Sequence, residues 1–285
     1  MNFFLPNNIE EASEILKKYS DDAKIIAGST WLMRAPIRDE ELPKKMVSLS
    51  KIDNLRKITI KNKVLFIGSM VSHFQLYEFL KNKQNFECLK KSVIESANEG
   101  IRNAATIGGN ICANEFSNSD IIPALLSLRA NLIIFDGSKN FEMNLKDFLS
   151  WRLDRKNYQI VSFIKINEMK NFSCHKRFLL RESGDYPVVN LSVNLYNNES
   201  NIIKEISISV GVVENCAKNW EPFEKFLKGK KIDAESFKNQ SKNFLNFFKS
   251  RDDIDCPGWY RLHVLPKLVK EAFLDISTQI RNFSS

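Results

Sequence analysis

Glycine is sparse in this chain, at 10 of 285 residues, about half the roughly 7% usage of ordinary proteins. An adjacent pair, Gly108-Gly109, therefore marks a place where the backbone demands something other residues do not supply. Cysteine is also limited. Cys88, Cys112, Cys174, Cys216 and Cys256 are scattered, odd in number and never spaced C-x-x-C, which argues against a disulfide framework and against a zinc or iron–sulfur site in this chain. Free thiols in a reducing compartment are expected. The three histidines, His73, His175 and His263, lie far apart, and no H-E-x-x-H helix or G-x-S-x-G elbow occurs. G-x-G-x-x-G is missing as well, and Gly229-Lys230 lacks both the upstream glycine and the following Ser or Thr of a P-loop. No apolar run approaches the roughly 18 residues that cross a bilayer. The start, Met1-Asn2-Phe3-Phe4-Leu5-Pro6, has neither the charge nor the apolar core of a secretory signal. A cytoplasmic protein without a membrane partner is expected.

A hydrophobic content of 43% over this length is enough for a sizeable core and two domains. The formal charge is +8, but lysines alternate with acids along most of the chain, as on an ordinary solvated surface. No zinc-finger spacing or aromatic cluster accompanies them, so nucleic acid is not an expected partner. Asn8 reads as the N-cap of a helix to Tyr19, followed by a strand at Lys24 to Ala27 and another at Met46 to Leu49. A hairpin joins 58–60 to 64–67, helices cover 74–80, 88–97 and 121–128, and strands cover 131–135 and 159–166. Pro123 falls in the first turn of its helix, where the missing N–H costs little. The Lys-rich stretch 167–171 is the best boundary. Beyond it, three strand-like runs (174–180, 188–196, 202–213) precede helical segments at 223–227, 237–248 and 260–273, an α+β arrangement.

Two short segments carry chemistry. In Ile101-Arg102-Asn103-Ala104-Ala105-Thr106-Ile107-Gly108-Gly109-Asn110, paired glycines sit between a hydroxyl and an amide. Consecutive N–H groups in such a turn make an anion nest, with Thr106 and Asn110 adding donors; taken alone, the segment reads equally well as a tight structural turn. Upstream, the apolar run Lys24 to Ala27 breaks into Gly28-Ser29-Thr30 before Trp31-Leu32, and small residues after a strand are where nucleotide phosphates are met. Two such turns could hold a diphosphate from both sides, which suggests a dinucleotide.

The paired motifs, Ala27-Gly28-Ser29-Thr30-Trp31-Leu32 and Ile101 to Ile111, closely resemble the FAD-binding subunits of molybdenum hydroxylases, the xanthine dehydrogenase and carbon monoxide dehydrogenase flavoprotein family. The likeness extends over nearly the whole chain. Phe4 to Leu16 is similar to the family's opening strand and helix, Ile67-Gly68-Ser69 to its I-G-A turn, 123–130 to its P-x-L-L-A-L-x-A helix, and Arg181 to Val189 to the opening of its C-terminal domain. The resemblance implies an α+β fold. A two-lobed PCMH-type FAD-binding domain would occupy residues 1–170, with lobes of about 1–55 and 56–170. A C-terminal domain, residues 171–285, would hold a three-stranded antiparallel sheet with helices.

For the site, the resemblance implies that Ile25, Ile26, Ala27, Gly28, Ser29, Thr30, Trp31 and Leu32 wrap one side of the FAD diphosphate. Thr106, Gly109 and Asn110 would hold the other side, Ala105 and Ile111 would line the ribityl and flavin path, and Asp120 would accept a sugar hydroxyl. Arg181, Asp185 and Tyr186 would approach the flavin ring. Three departures stand out: Ser29 replaces the second glycine of A-G-G-T, a mild change if its φ is negative; Glu115-Phe116 occupies a longer loop before Pro123; and Ser96 lies where some relatives place an aromatic against the adenine. No catalytic side chain and no metal ligand is expected. The implied function is electron transfer from [2Fe–2S] clusters on one partner subunit, fed by a molybdenum-cofactor subunit, through FAD to NAD or another acceptor, in a heterotrimer. A stand-alone flavoenzyme of the same fold, or an assembly subunit that has lost flavin, are the alternatives.

Overall fold

The computed structural model describes residues 2–168, 171–181, 186–198 and 200–284. They form two compact units. The first comprises residues up to 79, 98–116 and 130–168; the second comprises 80–97, 117–129 and the chain from 169 on.

In the first unit, Asn2–Phe4, Lys45–Ser48 and Ala23–Ile26 make a parallel three-stranded sheet with Lys45–Ser48 in the middle. The helix Ile9–Tyr19 feeds it, and its start is fixed by sequence: the Asn8 side chain accepts the Glu11 N–H, while Glu10 and Glu11 occupy the first turn and Lys17 and Lys18 the last, where they suit the helix dipole. Ala12 and Leu16 on one face bury fully against Ala23 and Val47. A five-stranded antiparallel sheet completes the unit, in the order Ile58–Lys61, Val64–Gly68, Ile160–Asn167, Asn131–Phe135, Asn140–Asn144. The last strand and the helix after it, Leu145–Trp151, have no counterpart in the sequence reading. The expected helix 88–97 is shorter. Glu87–Ile94 ends before Ala97, which takes a left-handed φ of 48°, and Asn98 caps a separate helix, Glu99–Ala104.

The second unit is an antiparallel sheet packed by helices, among them Glu87–Ile94, Ile121–Ser127 and the long Gly258–Ser284. The expected three strands are there, at Phe172–Phe178, Val189–Asn197 and Ile203–Gly211, but the sheet has four: Lys218–Asn219 pairs with Ser209 and Val210 at its edge. Two residues are too few to show a period. This strand is held by Asn219 Nδ2, which donates to Ser207 and Ser209 Oγ. Among the described residues no helix is long and apolar enough to cross a membrane.

An ion-pair node ties this unit together. Asp275 accepts from Lys91 at 2.8 Å, from Lys176 at 2.7 Å and from Gln279 at 3.2 Å. Burial alone would raise its pKa, but the bonds from Lys176, Lys91 and Gln279 win and hold it down to about 2. A depressed carboxylate pKa contributes stability above the unfolded value, about 3.9, and loses it as pH falls through the folded value. Asp275→Asn is therefore expected to cost about 1 kcal/mol at pH 7, less than the full shift because the node is partly exposed and screened. Urea unfolding should show that gap closing between pH 4 and pH 2.

Candidate functional site

The strand Ala23–Ile26 delivers the first loop. Gly28 sits so close to the second motif that a Cβ built on it would lie 2.0 Å from the Ala104 carbonyl oxygen. Ser29 follows in the left-handed region, φ 66°, so the mild reading of its departure from glycine fails. The conformation costs a non-glycine residue roughly 1 kcal/mol, and the Ser29 hydroxyl recovers little, reaching only the Ala27 carbonyl at 3.4 Å. Ser29→Gly is expected to stabilise the fold by about 0.5 kcal/mol net of the glycine's greater unfolded entropy. A melting curve should rise by roughly 1–2 °C, and a fall would mean that the serine hydroxyl contributes more than that bond. Among the described residues, the N–H groups of Gly28, Ser29 and Thr30 donate to no protein acceptor, and the buried Trp31 Nε1 also lacks one. The Trp31 ring itself is committed: Arg38 lies 4.0 Å from its centroid and Phe116 packs at 4.9 Å. That contact gives the Glu115-Phe116 departure a physical role, tying the loop after the second motif to the first.

The second motif is not the glycine nest that the sequence suggested. Ile107–Cys112 is a short helix, capped by Thr106, whose Oγ1 accepts the Gly109 N–H at 3.1 Å. Neither Gly108 nor Gly109 has positive φ. Their glycine identity is steric: a Cβ on Gly108 would stand 2.6 Å from Ser69 Cβ, and one on Gly109 would stand 2.8 Å from the capping Thr106 hydroxyl. Gly109 also faces the first loop, with Ala27 Cβ 3.9 Å from that built position. The fold thus brings 27–32 and 105–110 against each other within one unit.

A third segment, 69–73, braces them. Gly108 N–H donates to Ser69 O at 2.9 Å, Ile107 N–H to Val71 O at 2.9 Å, and His73 N–H to Ala105 O at 3.0 Å, with a bridge pairing Ser72 and Thr106. Asn110 Nδ2 lies 3.1 Å from His73 Nε2, and buried Arg152 donates to the Ile111 carbonyl at 2.7 Å. Ser69 Oγ is buried with no hydrogen-bond partner among the described residues. None of Ser69, His73 and Arg152 was expected at the site. Ile67-Gly68-Ser69 was visible only as a turn, and no spacing connects the other two to the motif. Ala105 and Ile111 are buried in the core, at 4% and 0% exposure, so any part they take in a site is through their backbone.

Of the other expected residues, Asp120, Arg181 and Tyr186 belong to the second unit. Asp120 is buried, with Oδ1 3.2 Å from His175 Nε2 and 2.9 Å from Asn190 Nδ2, and Oδ2 3.2 Å from Arg177. Burial pushes its pKa up, but the His175 hydrogen bond and the Arg177 charge outweigh it and hold the carboxyl below its ordinary value. His175 Nδ1 is 2.8 Å from Ser192 Oγ, which gives a Ser–His–Asp connectivity. With Ser192 and His175 at 0% and 1% exposure, no substrate reaches the hydroxyl, so this is a polar brace and not a nucleophile. Arg181 is exposed, Tyr186 lies at 36% exposure, and Asp185 falls outside the described residues. Ser96 is buried and bonded to the Val93 carbonyl.

The first jaw offers the features a diphosphate needs: three successive N–H groups without protein acceptors, an indole N–H in the same state, and glycines that let the two loops close on each other. The residues fit a dinucleotide such as FAD.

Comparison with known proteins agrees with this geometry. The family model described as the FAD binding domain in molybdopterin dehydrogenase matches residues 1–167, and that of the CO dehydrogenase flavoprotein C-terminal domain matches 176–276. The nicotinate dehydrogenase FAD-subunit of Eubacterium barkeri is 29% identical over 148 residues, 51% of this chain and 49% of that protein, so the match spans about half of the relative. The glyceraldehyde dehydrogenase medium chain of Sulfolobus acidocaldarius is 21% identical over 95% of this chain and 96% of its own. Among solved structures, reconstituted CO dehydrogenase from Oligotropha carboxidovorans superposes with a TM-score of 0.90 at 20% identity, over 98% of both chains.

Proposed function

The chain belongs to the FAD-binding domain family of molybdopterin dehydrogenases, and from that premise we propose that it is the electron-transfer flavin subunit of a molybdenum hydroxylase complex. It is an FAD-binding oxidoreductase subunit. In this reading residues 1–170 form the FAD-binding domain and 171–285 the C-terminal domain. Electrons arrive from [2Fe–2S] clusters on a partner subunit, a molybdenum-cofactor subunit hydroxylates the substrate, and NAD or another acceptor takes the electrons away. Cytoplasmic residence is part of the same reading.

One observation carries it: loops 27–32 and 105–110 face each other within one unit, and among the described residues the N–H groups of Gly28, Ser29 and Thr30 have no protein acceptors. Those N–H groups would take diphosphate oxygens on one side. Thr106, whose lone pair already caps a helix, still has its own proton to give on the other. When bound, FAD supplies the redox chemistry, accepting electrons in pairs or singly. The chain's own task is to bind and orient it, and the 69–73 brace and the Arg152 bond to Ile111 hold the second jaw rigid for that purpose. No side chain has to move a proton.

The test is cofactor content of the protein purified from its native cells with whatever accompanies it. About one FAD per chain, with iron and molybdenum on co-purifying subunits, is expected. Flavin without iron or molybdenum points to a stand-alone flavoenzyme, and absence of flavin sinks the reading. Reoxidation of the reduced complex by NAD⁺ under exclusion of oxygen then decides the acceptor.

A further inference from the structure

We propose that His73 is a positioning residue of the FAD site, acting through Asn110: the imidazole fixes which edge of the Asn110 amide meets the cofactor. The inference rests on the reading that Asn110 faces FAD. It starts from where His73 is held. The residue is 5% exposed and opens the helix His73–Leu80. Its N–H donates to Ala105 O, the residue before it bridges to Thr106, and Val71 O accepts from Ile107. Two backbone hydrogen bonds, which together make that bridge, therefore lock the His73 backbone to the same few residues that form the second jaw. The ring is not placed by surface chance.

Asn110 stands in the second turn of the jaw helix, and its Nδ2 is 3.1 Å from His73 Nε2. An amide nitrogen can only donate, so with Nδ2 toward the ring the tautomer that pairs is the one with the lone pair on Nε2 and the proton on Nδ1. A bare Nε2 selects the NH₂ edge of Asn110 and turns the carbonyl edge away; a protonated Nε2 would demand the opposite. An amide has two chemically unlike edges of nearly equal shape, and a hydrogen-bonding neighbour of fixed polarity favours one of them. A hydrogen-bonding group offered to a ligand in two orientations binds more weakly than one offered in a single orientation, because the ordering is then charged to the binding step. His73 performs that ordering in advance.

The test is a double-mutant cycle on the full chain, titrating flavin-free protein with FAD and reading flavin fluorescence. His73→Leu and Asn110→Ala are each expected to weaken FAD binding about tenfold, the size of one hydrogen bond. The double variant should be no weaker than about tenfold, since removing the amide leaves the imidazole nothing to orient. His73→Gln, which can set an acceptor oxygen near the Nε2 position, should return affinity to within about threefold of wild type. A purely structural histidine predicts instead that the losses multiply towards a hundredfold and that glutamine rescues no better than leucine. Either result overturns the proposal, as does wild-type affinity in His73→Leu. Unchanged affinity in Asn110→Ala overturns it differently, by showing that Asn110 does not face FAD at all. Should His73→Leu fail to fold, His73→Ala paired with Asn110→Ala completes the same cycle.

Discussion

Replacing Gly28 with alanine is expected to strip the chain of FAD and to destabilise the first unit by about 3 kcal/mol, at the upper end of what overpacking costs. The reason is not conformational. Gly28 does not have positive φ, so alanine suits its backbone, and a change of unfolded-state entropy alone would slightly stabilise the fold. The obstacle is the Ala104 carbonyl, whose oxygen and carbon stand 2.0 and 2.8 Å from the new Cβ, with Ala105 Cα at 3.0 Å. All three are backbone atoms, and they cannot rotate out of the way as a side chain would. Ala105 N–H is bonded to Ile101 O at 2.7 Å and Ala105 O to His73, so relief must shift the entry to the Thr106 cap. The two jaws then part. Gly229→Ala is the matching control: it has φ 82° and nothing within 4 Å, so it should cost about 1 kcal/mol by strain and leave flavin content untouched. Absorbance in the flavin bands per chain, with a thermal melt of each variant, separates the two effects; full flavin content in Gly28→Ala would defeat the two-jaw reading.

The sequence made the outline of this site legible, and the reasons it misread the details are physical. Asn8 and Pro123 declare helix starts because capping and first-turn chemistry are local. The two glycine motifs could be paired because small residues after apolar runs are rare in so glycine-poor a chain. What glycine accomplishes there is not local. Gly108 is required by Ser69, some forty positions earlier in sequence, and Gly28 by Ala104, so a reading confined to the motif could not find the cause, which is close packing and not a nest; the positive φ falls on Ser29. Polar alternation has the same limit in the second unit. Asn190-Leu191-Ser192-Val193-Asn194 has the two-residue period of a strand with one wet face, yet every one of these residues is buried. The polar face is covered by Ser119, Asp120 and Ser127, whose carbonyl and carboxylate groups take up Asn190 and Asn194. Only the fold shows that this stripe faces other polar groups and not water.

That polar stripe makes Asp120 the residue whose loss should hurt the second unit most. Its partners come from neighbouring strands in register: His175 stands opposite Ser192 and Arg177 opposite Asn190, so His175 and Arg177, two apart on one strand, and Asn190 on the next converge on one carboxylate. Asp120→Asn keeps the shape and removes the charge. Arg177, with a side chain only 11% exposed, is left beside a neutral amide, and one of the three hydrogen-bond acceptances must become a donor facing a donor. Breaking a buried pair from one side typically costs 3–5 kcal/mol, and about 3 kcal/mol is expected here because Arg177 also bonds the Glu95 carbonyl. The loss should be seen in flavin-free protein by denaturant unfolding. A residue needed only to accept a hydroxyl of FAD would leave that curve unchanged. The pH dependence has a fixed sign. Because the folded pKa lies below the ordinary value, the stabilisation is present in full above the unfolded pKa, about 3.9, and disappears as pH falls through the lower folded one. Wild type and Asp120→Asn should therefore keep a constant separation from neutrality down to about pH 4 and converge only below it. Convergence already near pH 6 would mean that the carboxylate is not held ionised by its partners, and the brace would have to be assigned to the neutral hydrogen bonds alone.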